Sequence, residues 1–247
     1  KLYAEDTKLI ILQEKKSSYC PIDKDVIYSA EGSTALTASN IVIGTNVPYA
    51  GNFGISKNPE SFAVYGYRKY YTDKDRNAVL RLSQDGLTEI SNYGMIDFFR
   101  DQFSVLNGGK LTGIWDIYNK QYVLSIQPKD INSFKTLSFD EQVQGWTSLY
   151  SYKPQHGLSL KSNYYTLGPS SIANTDTAGL YQQYISTVPR AKFYGVQGKS
   201  SIEFIFNPKV SMSKVFKTIN YEGSNGWQVD SFVSDLTGVG SVDTDFL

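Results

Sequence analysis

Histidine and cysteine are nearly missing from this sequence, with one of each, His156 and Cys20, among 247 residues. A single thiol forms no internal disulfide, and one thiol with one imidazole cannot complete a zinc or iron ligand set. Cys20 reads as a buried, inert thiol. Net charge is missing too: 24 Lys and Arg balance 24 Asp and Glu, so no global field draws the chain to nucleic acid or to an acidic membrane. Nor does any run reach the roughly 18–20 apolar residues of a membrane-spanning helix, and the first residues, Lys1 to Asp6, do not form a signal peptide. The chain starts abruptly ahead of Leu9-Ile-Ile-Leu12 and stops abruptly at Asp243-Thr-Asp-Phe-Leu247. We therefore expect a piece of a longer protein.

Aromatic residues are plentiful instead, with 19 Tyr and 13 Phe against 2 Met, punctuated by 20 Gly. That balance suits pleated, half-buried strands. Three segments then align with one another: Tyr71 to Leu82, Trp115 to Ile126 and Phe139 to Leu149. In each, an aromatic residue lies one or two places before an Asp (Asp73, Asp116, Asp140). A large apolar residue (Val79, Tyr122, Trp146) follows six places after it. The spacing predicts a β-hairpin used three times, with the carboxylate accepting N–H bonds of the turn.

Further strands fit around these hairpins. Ser83-Gln-Asp-Gly86 is a D-G turn that extends the first copy to a three-strand meander from about Ser61 to Ile90. Tyr164–Leu167 and Leu180–Ile185 pair across a polar loop through Asp176–Gly179, and Thr7–Glu14 and Val26–Ser29 read as strands. So do Ser201–Phe206, Lys214–Ile219 and Trp227–Phe232. One helix is expected between Ser91/Asn92 as caps and Asn107-Gly-Gly109 as the stop, with Met95, Phe98, Phe99, Gln102, Phe103 and Leu106 at helical spacing as an aromatic stripe packed on a sheet, a docking face for a neighbouring subunit being the alternative. The fold class is all-β, with propeller-like blades of antiparallel meanders and one short helix; a β-sandwich is the competing arrangement. We place a propeller-like domain at residues 1–200 and C-terminal strands, in the same or an adjoining β domain, at 201–247.

Catalytic machinery does not emerge. His156 lies in the turn-like Lys153-Pro-Gln-His-Gly157 and reads as an exposed imidazole. No G-x-S-x-G elbow occurs, and nothing local supports a Cys20–His156 pair. The carboxylate pairs Asp73/Asp75 and Asp243/Asp245 lack the other ligands of a calcium loop. Ser83-Gln-Asp-Gly86 is only faintly like a sialidase Asp-box, and Asn107-Gly-Gly-Lys110 lacks Walker spacing. Glu14-Lys-Lys16 reads as a solvated turn and Tyr67-Arg-Lys-Tyr-Tyr71 as a half-buried strand, although aromatic and basic residues could also stack bases. We predict no enzyme activity, and no catalytic, cofactor-binding or metal residue.

Three stretches carry a family likeness: Gly54 to Phe62, Tyr70 to Leu87, and Phe139 to Ser148 with Tyr152-Lys-Pro154. Together they resemble virion proteins of short-tailed bacteriophages, above all the tail muzzle or nozzle proteins of crAss-like phages. The likeness spans about Leu9 to Phe232. It implies a propeller-bearing structural subunit in the virion tail, ringed with other copies of itself around the DNA channel, in contact with other tail proteins and serving genome ejection. DNA would pass without sequence-specific binding, and no cofactor is implied. Those proteins are much longer than this chain, and three hairpin copies are too few for a closed propeller. A glycan-binding or glycan-cleaving propeller for host recognition is the alternative.

Overall fold

A computed structural model describes residues 1–28, 34–129, 133–169, 178–215, 217, 218, 220, 222, 223 and 226–231. The chain divides into two compact units, Lys1–Ser201 and Ile202–Leu247.

The first unit begins with an antiparallel sheet of β1 (Leu2–Ala4), β2 (Lys8–Leu12), β3 (Ser17–Tyr28), β4 (Thr34–Ile43) and β5 (Val47–Pro48). Strands β1 to β4 lie in sequence order, and β5 pairs with β3. A bulge follows Ile22, where Asp23 takes a left-handed φ of 54°. The expected Thr7–Glu14 strand is β2. The expected Val26–Ser29 strand is only the end of the long β3, Ser29 lying outside the described residues.

Three meanders follow. The first is four-stranded: β6 (Ala63–Tyr65), β7 (Arg68–Asp73), β8 (Ala78–Ser83) and β9 (Gly86–Glu89). It gains β6, too short for its alternation to show in the sequence. A short helix, α1 (Ile96–Ser104), leads into the second meander. That meander has four strands: β10 (Lys110–Asp116), β11 (Gln121–Gln127), β12 (Lys135–Asp140) and β13 (Gly145–Tyr150). The third has three: β14 (His156–Leu160), β15 (Asn163–Gly168) and β16 (Gly179–Gln182). A small hairpin, β17 (Lys192–Phe193) with β18 (Val196–Gln197), closes the described strands. The all-β class holds, with consecutive antiparallel neighbours in every meander.

Helix α1 starts later than its sequence suggested. Met95, not Ser91 or Asn92, is its N-cap, and it makes no side-chain capping bond. The Ser91 hydroxyl is otherwise engaged: it accepts from the Val79 N–H at 3.1 Å and donates to Glu89 at 3.0 Å, inside a 3₁₀ turn over Ile90–Asn92. The stripe is placed as expected. Phe99, Phe103 and Leu106 are buried and Met95 and Phe98 partly so, all in the core between the first and second meanders.

Alternation along each strand explains the layering. Tyr70 and Val79 enter the core shared with the second meander, whereas Tyr71, Ala78, Leu80 and Leu82 pack against Ile10 and Leu12 of the N-terminal sheet. On the second meander, Leu111, Trp115, Tyr122 and Leu124 face the first. Their neighbours Ile114 and Val123 face Tyr164 of the third. Both central meanders thus bury two faces, and the four sheets stack in chain order.

The second unit departs from expectation. Ser201–Phe206, Lys214–Ile219 and Trp227–Phe232 contain no strand among their described residues; Phe216, Ile219 and Phe232 lie outside them. Their apolar side chains are exposed, Phe204 at 74 % and Ile205 at 94 %. A strand requires a hydrogen-bonded neighbour, and β propensity alone supplies none. Among the described residues here, the Met212 N–H donates to the Lys209 carbonyl at 3.0 Å in a turn.

Candidate functional site

The three Asp residues singled out by spacing form one turn used three times. Register pairs Asp73 with Ala78, Asp116 with Gln121 and Asp140 with Gly145, leaving a four-residue loop in each case. The fourth loop residue is left-handed every time: Asn77, Lys120 and Gln144 have φ of 56°, 57° and 53°. The carboxylate satisfies the loop's N–H groups, as expected. Asp116 accepts from Tyr118 and Asn119 at 2.9 and 3.2 Å, Asp140 from Gln142 and Val143 at 2.7 and 3.4 Å, and Asp73 from Arg76 at 3.3 Å. The residue before each Asp pairs with the apolar residue six places after it: Thr72 with Val79, Trp115 with Tyr122, and Phe139 with Trp146. That pairing is the origin of the spacing.

Each carboxylate also has a second task, invisible in the sequence. Buried Asp73 accepts from the Gly54 N–H at 2.9 Å and the Ser56 hydroxyl at 2.8 Å, holding the segment that enters the first meander. Buried Asp116 accepts from the Tyr184 hydroxyl at 2.7 Å, binding the chain after β16 back to the second meander. Asp140 accepts from the Gln121 amide at 3.0 Å on the neighbouring strand. Their titration differs accordingly. Burial pushes the Asp116 carboxyl above the ordinary carboxylate range, its hydrogen bonds only partly opposing this. The Gln121 amide holds the Asp140 carboxyl below it.

Polar contacts join the sheets at other points. Glu141, on the loop after β12, accepts from the Tyr70 hydroxyl at 2.8 Å and pairs with Arg81 at 3.0 Å. It thereby reaches across to the first meander. Burial works against the Arg81 charge, but Glu141, with Asp85 and Tyr70, more than offsets this and raises the guanidinium pKa. The Tyr122 hydroxyl donates to the Ser61 carbonyl at 2.8 Å, where Gly113 admits the approach of backbone to backbone. Between the second and third meanders, Lys110 donates to the Gln155 carbonyl at 2.7 Å, Gln127 to that of Pro154 at 2.6 Å, and Ser159 to that of Trp115 at 2.6 Å.

Several residues weighed for chemistry are occupied by such work. Lys110, from the Asn107-Gly-Gly-Lys110 stretch, is one. Asp73 has donors on both oxygens, and no group of three or more potential ligands is suited to a metal among the described residues. Asp243 and Asp245 lie outside them. Asp85 of the D-G turn pairs with Arg81 at 3.1 Å. In Tyr67–Tyr71, Tyr67 is exposed, while Lys69, Tyr70 and Tyr71 are buried and Lys69 is paired with Glu5. Lys16 donates to the Gly51 carbonyl at 2.6 Å. Cys20 is buried in the N-terminal sheet and faces Asn46; His156 is on the third meander, with two sheets between them.

His156 is exposed, but it opens β14 rather than sitting in a turn. The missed signal is the brevity of His156–Leu160 and its glycine: Gly157 stands where a Cβ would lie 2.7 Å from the Ile114 side chain. His156 borders a shallow groove of about 240 Å³ along β6, β10 and β14, below the roughly 300–1,000 Å³ of small-molecule sites. No carboxylate lines the groove, whereas glycoside hydrolysis calls for two.

These contacts build a scaffold of joined sheets, which leaves identity to the C-terminal end. Residues 188–243 match the family described as the Crassvirus muzzle protein C-terminal domain. That segment is similar to the C-terminal domain of the crAss-like phage muzzle proteins. This bears out the likeness seen in the sequence and places the chain in the virion tail. No curated protein matches the chain. The muzzle domain match begins ahead of β17, takes in the β17–β18 hairpin and continues through the exposed Ser201–Phe206 segment.

Proposed function

We propose that this muzzle-family chain is a non-enzymatic structural subunit at the tip of a short phage tail. Copies of it form a ring around the DNA channel, together with other tail proteins, and act as conduit and closure during genome ejection. DNA passes by channel shape, without sequence-specific contacts. The carrying observation is the muzzle domain match at residues 188–243. The stacked meanders support the same reading: their side chains are engaged in joining sheets, and the four-strand consecutive order of the first two is that of propeller blades. We assign residues 1–200 to a propeller-like domain and 201–247 to the same or an adjoining domain, with no catalytic, cofactor or metal residue in either.

Electron microscopy of the full-length protein and of virions carrying it tests the proposal. A ring at the tail tip is expected. A stable monomer that cleaves or tightly binds oligosaccharides would overturn it.

A further inference from the structure

The charges of this neutral chain are unevenly spread. From Thr177 to Ile202 there is no Asp or Glu, whereas Arg190, Lys192 and Lys199 all fall in that stretch. All three are exposed, and the β17–β18 hairpin gathers them. Lys192 is the register partner of Gln197. At the base of the hairpin the Gly198 N–H donates to the Ala191 carbonyl at 2.8 Å, so that Arg190 and Lys199 flank one bonded pair, and the Gln197 amide donates to the Arg190 carbonyl at 2.9 Å.

The hairpin is held firmly from behind. The Phe193 ring lies 4.8 Å from that of Tyr152, and buried Tyr194 lies 4.8 Å from the ring of Tyr181 and donates its hydroxyl hydrogen to Thr166 at 3.0 Å. These neighbours are uncharged. The bend itself takes left-handed backbone at Ala191, Tyr194 and Gly195, with φ of 58°, 52° and 82°. At the two non-glycine residues that conformation is costly and persists only where the surroundings enforce it. With both aromatic rings engaged by the meanders, the hairpin meets solvent with cations rather than with stacking rings. Such a surface suits phosphate oxygens, which carry no sequence information, better than bases.

Resting on the reading that DNA passes through a ring of copies, we propose that the β17–β18 hairpin is a contact for the phosphate backbone of double-stranded DNA, made by Arg190, Lys192 and Lys199. The planar guanidinium of Arg190 can hold two oxygens of one phosphate, and each lysine acts as a point charge. Contacts of this kind guide a duplex whatever its sequence, as a conduit requires. The hairpin also lies inside the stretch, residues 188–243, that matches the muzzle domain.

The test measures binding of a short fluorescent duplex to the full-length protein by anisotropy, at about 50 and about 200 mM salt. Each phosphate contact adds about 0.9 to the steepness with which log affinity falls against log salt, so three contacts account for about 2.7, a loss of about 40-fold over that range. The combined variant Arg190→Gln, Lys192→Gln and Lys199→Gln should lose that share of the slope and bind more weakly at low salt, equally for duplexes of different sequence. The control Lys15→Gln, Lys24→Gln and Lys57→Gln removes the same charge at exposed positions elsewhere and should keep the native slope. Both variants should keep the native thermal midpoint, since the altered side chains are exposed. A native slope in the hairpin variant, an equal fall in the control, or hairpin-dependent binding to phosphatidylserine vesicles in place of duplex would overturn the inference while leaving the ring proposal intact. Duplex binding of the expected kind by a protein that forms no ring in electron micrographs would support the hairpin contact and sink the ring alone.

Discussion

Replacing Asp73 by Ala separates the turn-forming task of the three aspartates from their second one. Asp73 is fully buried and accepts from the Gly54 N–H, the Ser56 hydroxyl, the Arg76 N–H and the Arg76 guanidinium. Removing the carboxylate leaves two buried donors, on Gly54 and Ser56, without their acceptor, at about 1–3 kcal/mol each. The lost turn bond adds about 1 kcal/mol, by analogy with a lost helix cap, so the loss totals about 3–7 kcal/mol. Asp140 caps the same turn, but its backbone donors, Gln142 and Val143, are exposed and turn to water instead. Asp140→Ala therefore costs only about 0.5–1.5 kcal/mol. In urea, with a slope near 2–3 kcal/mol per M, Asp73→Ala should lower the midpoint by more than about 1 M and Asp140→Ala by less than about 0.8 M. Tryptophan fluorescence reads both transitions. Equal shifts would refute the reasoning, because they would mean that the aspartates act through their turns alone.

Further outcomes follow from the same geometry. The lowered pKa of Asp140 gives stability that is present above its unfolded value and lost as pH falls through the folded one, whereas the raised pKa of Asp116 gives stability that is complete below its unfolded value and lost as pH rises through the folded one. Asp116→Asn should therefore gain on the native chain between acid and neutral pH, read as the difference in urea midpoints; a flat difference would contradict this. Gly113→Ala places a Cβ 1.9 Å from the Ser61 carbonyl oxygen and should cost at least about 3 kcal/mol or prevent folding. The control Gly145→Ala, whose nearest contact is 3.9 Å away, should stay within about 0.5 kcal/mol by thermal melting. Glu141→Gln weakens the hold on Arg81 and Tyr70 and should cost about 1–3 kcal/mol. A double-mutant cycle with Arg81→Met checks whether that loss belongs to the pair.

The hairpins were legible because their cause is local. An Asp that satisfies its own turn, with a strand pair fixed one residue before and six after, leaves a spacing that survives in one dimension. The aromatic stripe of α1 was legible for the same reason, its period matching one face of a helix. Strands β6 and β14 were not, since five residues or fewer carry little alternation, and Gly157 interrupts what β14 has. The cap of α1 was misplaced because Ser91 suits a cap chemically, yet its hydroxyl serves β8, a contact set by tertiary placement. The three strands expected from Ser201 onward do not form among the described residues for a different reason: their residues favour a sheet, but pairing depends on a neighbour. Family likeness was read from stretches between Gly54 and Pro154, whereas the muzzle domain match lies at residues 188–243.

The second tasks of the aspartates explain how separate meanders become one stack. A hairpin turn needs only N–H acceptors, and an exposed Asn or Ser could supply them. Burying a carboxylate is costly unless donors surround it, and at Asp73 and Asp116 those donors come from segments distant in sequence, Gly54–Ser56 and Tyr184. If either meander separates from the segment that its Asp holds, a charge and its donors lose one another together. The tie therefore acts in one direction, favouring the stacked arrangement over partly opened ones. Asp140 takes its further donor, Gln121, from the adjacent strand of its own sheet, and its turn presents Glu141 to Tyr70 and Arg81 of the first meander. All three copies of the repeat thus form the same turn, and each reaches a segment beyond its own sheet, two through the Asp itself and the third through the residue that follows it.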